Sequence, residues 1–141
     1  MIISVDLNNP DQRAIKAVVN FLAAREIVIL PTDTIYGFSC LALNAFALKE
    51  LGELKDDGLR PRIVLILKDW VERYIAKSFK YERMYKLWPS PLTMVFPAKK
   101  GVFPPSLYNA DGGISFRVPA TSFLRMIFAE LDEPIVSTSL N

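Results

Sequence analysis

Ile27-Val28-Ile29-Leu30-Pro31-Thr32-Asp33-Thr34-Ile35-Tyr36-Gly37-Phe38-Ser39-Cys40 is the stretch that organises the chain. Its first four residues are apolar and three are β-branched, and they run directly into a proline. A buried strand that stops at a sheet edge or enters a loop has this pattern. The polar side chains that follow, Thr32, Asp33, Thr34 and Tyr36, can donate and accept hydrogen bonds from a loop held by a rigid strand. Sites for small polar ligands are often built this way, at the carboxyl ends of strands in an α/β sheet. The same residue types also make an ordinary polar turn, so local chemistry alone leaves both readings open. Phe38 to Leu43 reads as the neighbouring strand.

Composition narrows the chemistry. A chain of 141 residues with 51% hydrophobic content suits one domain with a real core rather than disorder. No apolar run approaches the ~20 residues that cross a bilayer, and the N-terminal residues do not resemble a secretory signal. Its single cysteine, Cys40, reads as a small buried hydrophobe and fits a reducing cytoplasm. A net charge of +2 is only mildly basic. The absence of histidine excludes Ser-His-Asp and Cys-His nucleophilic sites and histidine-ligated metals. Neither a P-loop nor a Gly-x-Gly-x-x-Gly loop is present, and there is no Cys-x-x-Cys pair.

The chain order gives the fold class. Ile2 to Val5 reads as a short strand or a tail. Asn9 is predicted to cap a helix with Pro10 at its first position and Asp11 in its first turn. Ile15, Val18, Val19 and Leu22 form its apolar face. Asn44 is predicted to cap a second helix, Ala45 to Lys55, with Phe46, Leu48, Leu51 and Leu54 at its apolar positions. A charged loop, Asp56 to Arg62, leads to Ile63–Leu67, an apolar strand covered on both faces. Short helices are predicted over Val71–Ala76 and Tyr81–Trp88, and strands over Leu92–Pro97, Ile114–Val118 and Ile135–Thr138. A last helix spans Ser122–Leu131. This uneven alternation predicts a single-domain α/β fold, a twisted mixed sheet with flanking helices.

Four short stretches carry a family resemblance, in order along the chain. Pro31-Thr32-Asp33-Thr34-Ile35-Tyr36-Gly37 resembles the signature loop of the YrdC family of threonylcarbamoyl-AMP synthases. Trp88-Pro89-Ser90-Pro91-Leu92-Thr93 is similar to its Trp-Pro-Gly-Pro-Leu-Thr, Arg117-Val118-Pro119 to its Arg-Val-Pro, and Ser137-Thr138-Ser139-Leu140-Asn141 to its Ser-Thr-Ser-Ala-Asn. The resemblance implies a YrdC-like domain over residues 1–141 that lacks the C-terminal segment usual in the family.

It also implies an activity: joining L-threonine, bicarbonate and ATP into threonylcarbamoyl-adenylate and pyrophosphate, for the threonylcarbamoyladenosine modification of tRNA in the cytoplasm. Mg²⁺ is expected to bridge phosphate oxygens. Carried over residue by residue, Thr32, Thr34 and Tyr36 would line the threonine and carbamate pocket, and Arg117 would pair with the substrate carboxylate. Lys55, Thr93, Ser137, Ser139 and Asn141 would contact the nucleotide. Trp88 reads as a core aromatic. Where the family has Lys-Gly-Arg-Pro, this chain has Lys55-Asp56-Asp57-Gly58, so an acid stands where an arginine is expected. Arg60 or Arg62 would have to supply the missing cation, and Asp56 and Asp57 are candidates to help hold Mg²⁺. A rival reading is a non-catalytic RNA- or nucleotide-binding protein, for tRNA or double-stranded RNA. Its basic face would be Lys77, Lys80, Arg83, Lys86, Lys99 and Lys100, interleaved with Phe79, Tyr81 and Tyr85. A protein partner from the tRNA-modification machinery would suit either reading.

Overall fold

The computed structural model describes residues 1–56 and 62–140. The sequence readings made for Asp57, Arg60 and Asn141 lie outside the described residues. Residues 2–5 form no strand and are largely exposed, with Val5 packing against the core. Helix α1 spans Gln12–Ala23, and its cap is Asp11 rather than Asn9. The reason is local. Asp6 Oδ1 accepts from the backbone N–H groups of Asn8 and Asn9, which closes a separate turn. The Asp11 carboxylate then accepts from Arg13 N–H at 2.8 Å. Ile15, Val18 and Leu22 are buried as their spacing requires.

Strand β1 (Val28–Pro31) pairs antiparallel with β2 (Tyr36–Leu41) through a four-residue loop. Pro31 is tolerated because β1 is an edge strand. Helix α2 (Ala45–Lys55) starts at Asn44, whose side chain accepts from Ala47 N–H. Its buried stripe is Ala47, Leu48 and Leu51, while Phe46 and Leu54 are more than half exposed. The apolar positions expected at Phe46 and Leu54 therefore face solvent, and the small Ala47 is fully buried instead.

The expected strand at Ile63–Leu67 is shorter: β3 is Ile63–Leu65. Ile66 is still fully buried and donates to the Arg117 carbonyl, but Leu67 already begins a 3₁₀ turn at Lys68–Trp70. The turn passes into helix α3 (Val71–Tyr74). A second 3₁₀ turn at Phe79–Tyr81 leads to helix α4 (Glu82–Tyr85), which stops short of the predicted Trp88. The chain tightens there into i→i−3 bonds, with Leu87 N–H donating to the Met84 carbonyl and Trp88 N–H to the Tyr85 carbonyl, and the Lys68 ammonium donates to the carbonyls of Tyr85 and Trp88. Strands β4 (Met94–Phe96) and β5 (Ile114–Arg117), helix α5 (Ser122–Leu131) and strand β6 (Ile135–Ser139) complete the described chain.

The six strands form one mixed sheet in the order β1-β2-β6-β3-β5-β4, with β3 and β5 parallel and the other pairs antiparallel. Trp88, Phe96, Phe116, Phe123 and Phe128 anchor the core, and α1 packs on α5. Among the described residues no helix is long and apolar enough to cross a membrane.

Register decides which side chains share a face. Ser39 lies opposite Ser137, Ser137 opposite Ile63, and Ile63 opposite Ser115. Two residues away on the same face, Gly37 lies opposite Ser139 and Leu65 opposite Arg117. One face thus carries glycine, serines and an arginine across its middle. Its other side holds Cys40, Val64, Val136 and Phe116, all fully buried.

Burial pushes the Cys40 thiol up from 9.0 to about 12, opposed in part by the charge of Arg62. The neutral thiol is the form that the fold favours. Its contribution to stability is therefore complete below about pH 9 and is lost as pH rises towards 12. Denaturant titrations should show a larger alkaline loss in the wild type than in Cys40→Ala, and native protein at pH 8 should resist thiol reagents until it is unfolded.

Candidate active site

The loop that closes the β1–β2 hairpin is organised by the Thr32 hydroxyl. It donates to the Ile35 carbonyl at 2.7 Å and accepts from the backbone N–H groups of Thr34 and Ile35, each at 3.3 Å. The Thr32 N–H closes the turn onto the Ile35 carbonyl as well. The single Thr32 hydroxyl proton is thereby committed. In the 3.2 Å pair between the Thr32 and Thr34 hydroxyls, Thr34 is the donor.

Arg117, the last residue of β5, reaches under this loop and is 9% exposed. Its Nε–H and one Nη2–H donate to the Thr93 hydroxyl at 3.1 and 2.9 Å. Its Nη1 donates at 3.1 Å to both Asp33 Oδ1 and the Thr34 hydroxyl. An arginine carries five N–H donors, so one Nη2–H has no partner among the described residues. The Asp33 side chain is only 6% exposed, and its second oxygen, Oδ2, is buried without a partner.

Above Arg117 lies a cavity of about 280 Å³ lined by Thr32, Thr34, Tyr36, Arg117, Ser137 and Ser139, with Ile35, Ile63 and Leu65 as its apolar wall. It opens on a face of the sheet, not at the strand ends that the sequence suggested. The small residues of the central strands create the hollow. Gly37 is obligatory there, since a Cβ would stand 2.8 Å from the Thr138 carbonyl oxygen and against the Ser137 hydroxyl. Ile35 and Tyr36 are more than half exposed and form the lip.

Lys55, at the last turn of α2, donates to the Ser139 carbonyl at 2.6 Å and sits 5.7 Å from the centre of the Phe38 ring. Lys55 is not among the residues that line the cavity and meets it through the Ser139 main chain, on the Phe38 side of β2. Thr32, Thr34, Tyr36, Arg117, Ser137 and Ser139 therefore converge on one cavity, with Lys55 beside it. Thr93 lies behind Arg117 and does not line the cavity. Arg62 is turned away: its guanidinium donates to the Leu48 carbonyl of α2. The structural part of Asp33 went unread in the sequence, where an aspartate in a Thr-Asp-Thr turn is an ordinary turn residue; the only cue was its place between two hydroxyls.

The described residues do not fit a protein-held Mg²⁺ site. No three His, Cys, Asp or Glu side chains among them gather as ligands, Asp33 Oδ1 is committed to Arg117, and Asp56 is an exposed helix C-cap. The lysines and Arg83 of the suggested basic face are exposed. Two of its three aromatics, Tyr81 and Tyr85, pack edge-on against Phe96, and Phe79 alone is free in solvent.

Known proteins resemble the chain over nearly its whole length. A threonylcarbamoyl-AMP synthase of Pseudoalteromonas translucida is 28% identical over 137 residues, covering 93% of this chain and 73% of that protein. The crystal structure of P. abyssi Sua5 complexed with L-threonine superposes with a TM-score of 0.86 at 25% identity. It covers 99% of this chain, which spans only 42% of that protein. E. coli YciO shares the fold, with a TM-score of 0.84 at 22% identity over 96% of this chain and 68% of its own. The family model described as telomere recombination, that of Sua5, YciO and YrdC, matches residues 20–141. A likeness of that extent, joined to the same loop, arginine and serine motifs around one cavity, makes the chain a member of the Sua5/YciO/YrdC family.

Proposed function

We propose that this domain forms threonylcarbamoyl-adenylate from L-threonine, bicarbonate and ATP, releasing pyrophosphate, for threonylcarbamoyladenosine modification of tRNA in the cytoplasm. The observation that carries the reading is the buried, oriented guanidinium of Arg117 at the floor of a hydroxyl-lined cavity sized for an amino acid. The names of the curated relatives and the threonine complex of P. abyssi Sua5 support it.

In this reading the remaining Nη2–H of Arg117 donates to the threonine carboxylate, while the Thr34 hydroxyl holds Nη1 in place. Ile35, Ile63 and Leu65 take the apolar part of the side chain. The threonine amine attacks the carbon of bicarbonate, oxygen leaves as water, and the carbamate forms beside Ser137 and Ser139. A carbamate oxygen then attacks the α-phosphorus of ATP and pyrophosphate departs. The protein works by positioning, by donating to developing negative charge and by keeping water from a labile carbamate. Hydroxyls, amides and fixed cations suffice, which suits a chain without histidine. The cavity holds an amino acid and its carbamate rather than a whole nucleotide, so ATP extends over the rim towards Lys55 and Ser139. Mg²⁺, when present, would travel with the phosphates and neutralise their charge. The adenylate is then consumed by a tRNA-modifying partner.

Calorimetry with L-threonine and ATP tests the reading. Threonine binding, and pyrophosphate release that requires threonine, bicarbonate and ATP together, are the expected results. Thr34→Ala should weaken threonine binding by at least about tenfold, the weight of a lost hydrogen bond to a charged group. A protein that ignores threonine but binds tRNA with a steep salt dependence would instead be the nucleic-acid binder. Gly37→Ala should also impair threonine binding, because β2 and β6 must part at the cavity floor. Its cost in stability should be about 1–3 kcal/mol by urea denaturation, as for other overpacked sites.

A further inference from the structure

We propose that Asp33 is a positioning residue that aims the Arg117 guanidinium and cancels part of its charge, so that the cavity grips a carboxylate only moderately. The substrate half of this inference rests on the threonine reading above; the half that concerns the guanidinium does not.

The arrangement is unusual for an ordinary turn. Asp33 does not line the cavity, although its neighbours Thr32 and Thr34 both do. Its side chain points inward to Arg117, with 6% of it exposed against 11% for the arginine. Only Oδ1 has a partner, while Oδ2 is buried and unpaired. Burying a carboxylate with one oxygen unsatisfied is costly. A solvated turn would have let that side chain swing outward. Here the short tether between Thr32 and Thr34 holds it in place, since both neighbours are fixed by the Thr32 hydroxyl network.

Two consequences follow from the geometry. Arg117 is held at three corners, by Thr93 on the Nε/Nη2 edge and by Asp33 and Thr34 on Nη1. The plane of the fork is thereby set, and its one uncommitted N–H has a fixed direction. Arg117 is also the only charged residue among the described residues that line the cavity, and its counter-charge lies 3.1 Å away. A ligand carboxylate thus meets a guanidinium that is already partly neutralised. Tight capture of any small anion gives way to orientation of the right one, and the product anion can leave.

Removing the charge but not the shape separates these effects. In Asp33→Asn the amide oxygen can still accept from Nη1, yet the cation below the cavity is no longer compensated. Calorimetry should show L-threonine binding roughly three- to tenfold tighter, the range for loss of one partly buried opposing charge. Pyrophosphate release should slow by about tenfold or more, because an uncharged amide holds the fork less firmly than the carboxylate does. KM and kcat then fall together, a pattern that simple destabilisation does not give. In nitrogen-resolved NMR of the ligand-free protein, the Arg117 Nη protons should be separately resolved in the wild type and averaged in Asp33→Asn. If the wild type ignores threonine, the threonine reading fails and the NMR comparison still decides the role of Asp33. Should Asp33→Asn not fold, Asp33→Glu keeps the charge one methylene out of place; it is expected to retain wild-type threonine affinity while kcat falls. Unchanged Arg117 resonances in Asp33→Asn, or weaker threonine binding in step with a lowered melting temperature, would overturn the proposal.

Discussion

The structure depends on keeping one guanidinium dry, charged and still. Arg117 ends a central strand, in a place where a hydrocarbon side chain would simply extend the core. Burying a cation there is tolerable only because its donors are met by a carboxylate and two hydroxyls. Those three partners come from two segments distant in sequence, the 32–35 loop and the segment before β4. Each must arrive at its place for the arginine to be satisfied. The hairpin loop, the approach to β4 and the end of β5 are thus fastened together by a polar contact, while the apolar face of the sheet fastens the rest.

The small residues of the other strands are the counterpart of that constraint. An arginine buried among large side chains would have no room above it. Gly37, Ser39, Ser137 and Ser139 hollow out the adjacent part of the same face, and Ile63 and Leu65 give the hollow an apolar side. Fold and site are therefore hard to alter separately. The register that buries Cys40, Val136 and Val64 on one face is the register that lines up glycine and serines on the other. A one-residue slip of β6 would both expose the core and fill the cavity.

Much of this was legible in the sequence, and the exceptions have physical reasons. Helix α5 and the cap of α2 were readable because Thr121, Asn44 and the apolar spacing act locally. The motifs named Thr34, Arg117, Ser137 and Ser139, and register then brings them together, which no local pattern could do. The start of α1 was misplaced because Asn9 and Asp11 are both good caps, and only Asp6, which engages the backbone of Asn9, distinguishes them. Phe46 and Leu54 hold apolar positions of the helix pattern yet stay exposed, because α2 covers the sheet with a narrower stripe. The placement of the cavity on a face rather than at strand ends followed from the mixed strand order. The inward aim of Asp33 had no sequence signal beyond its flanking threonines.

The place of β6 has a consequence for how the chain is made. Residues 135–139 insert between β2 and β3, completing pairings with segments that emerge from the ribosome far earlier. Without them no strand lies between β2 and β3, and the serine side of the hollow does not exist. Assembly is therefore comparatively slow, as non-local strand pairing generally is. During that interval unpaired strand borders are liable to join a neighbouring molecule, a hazard that holding chaperones exist to limit.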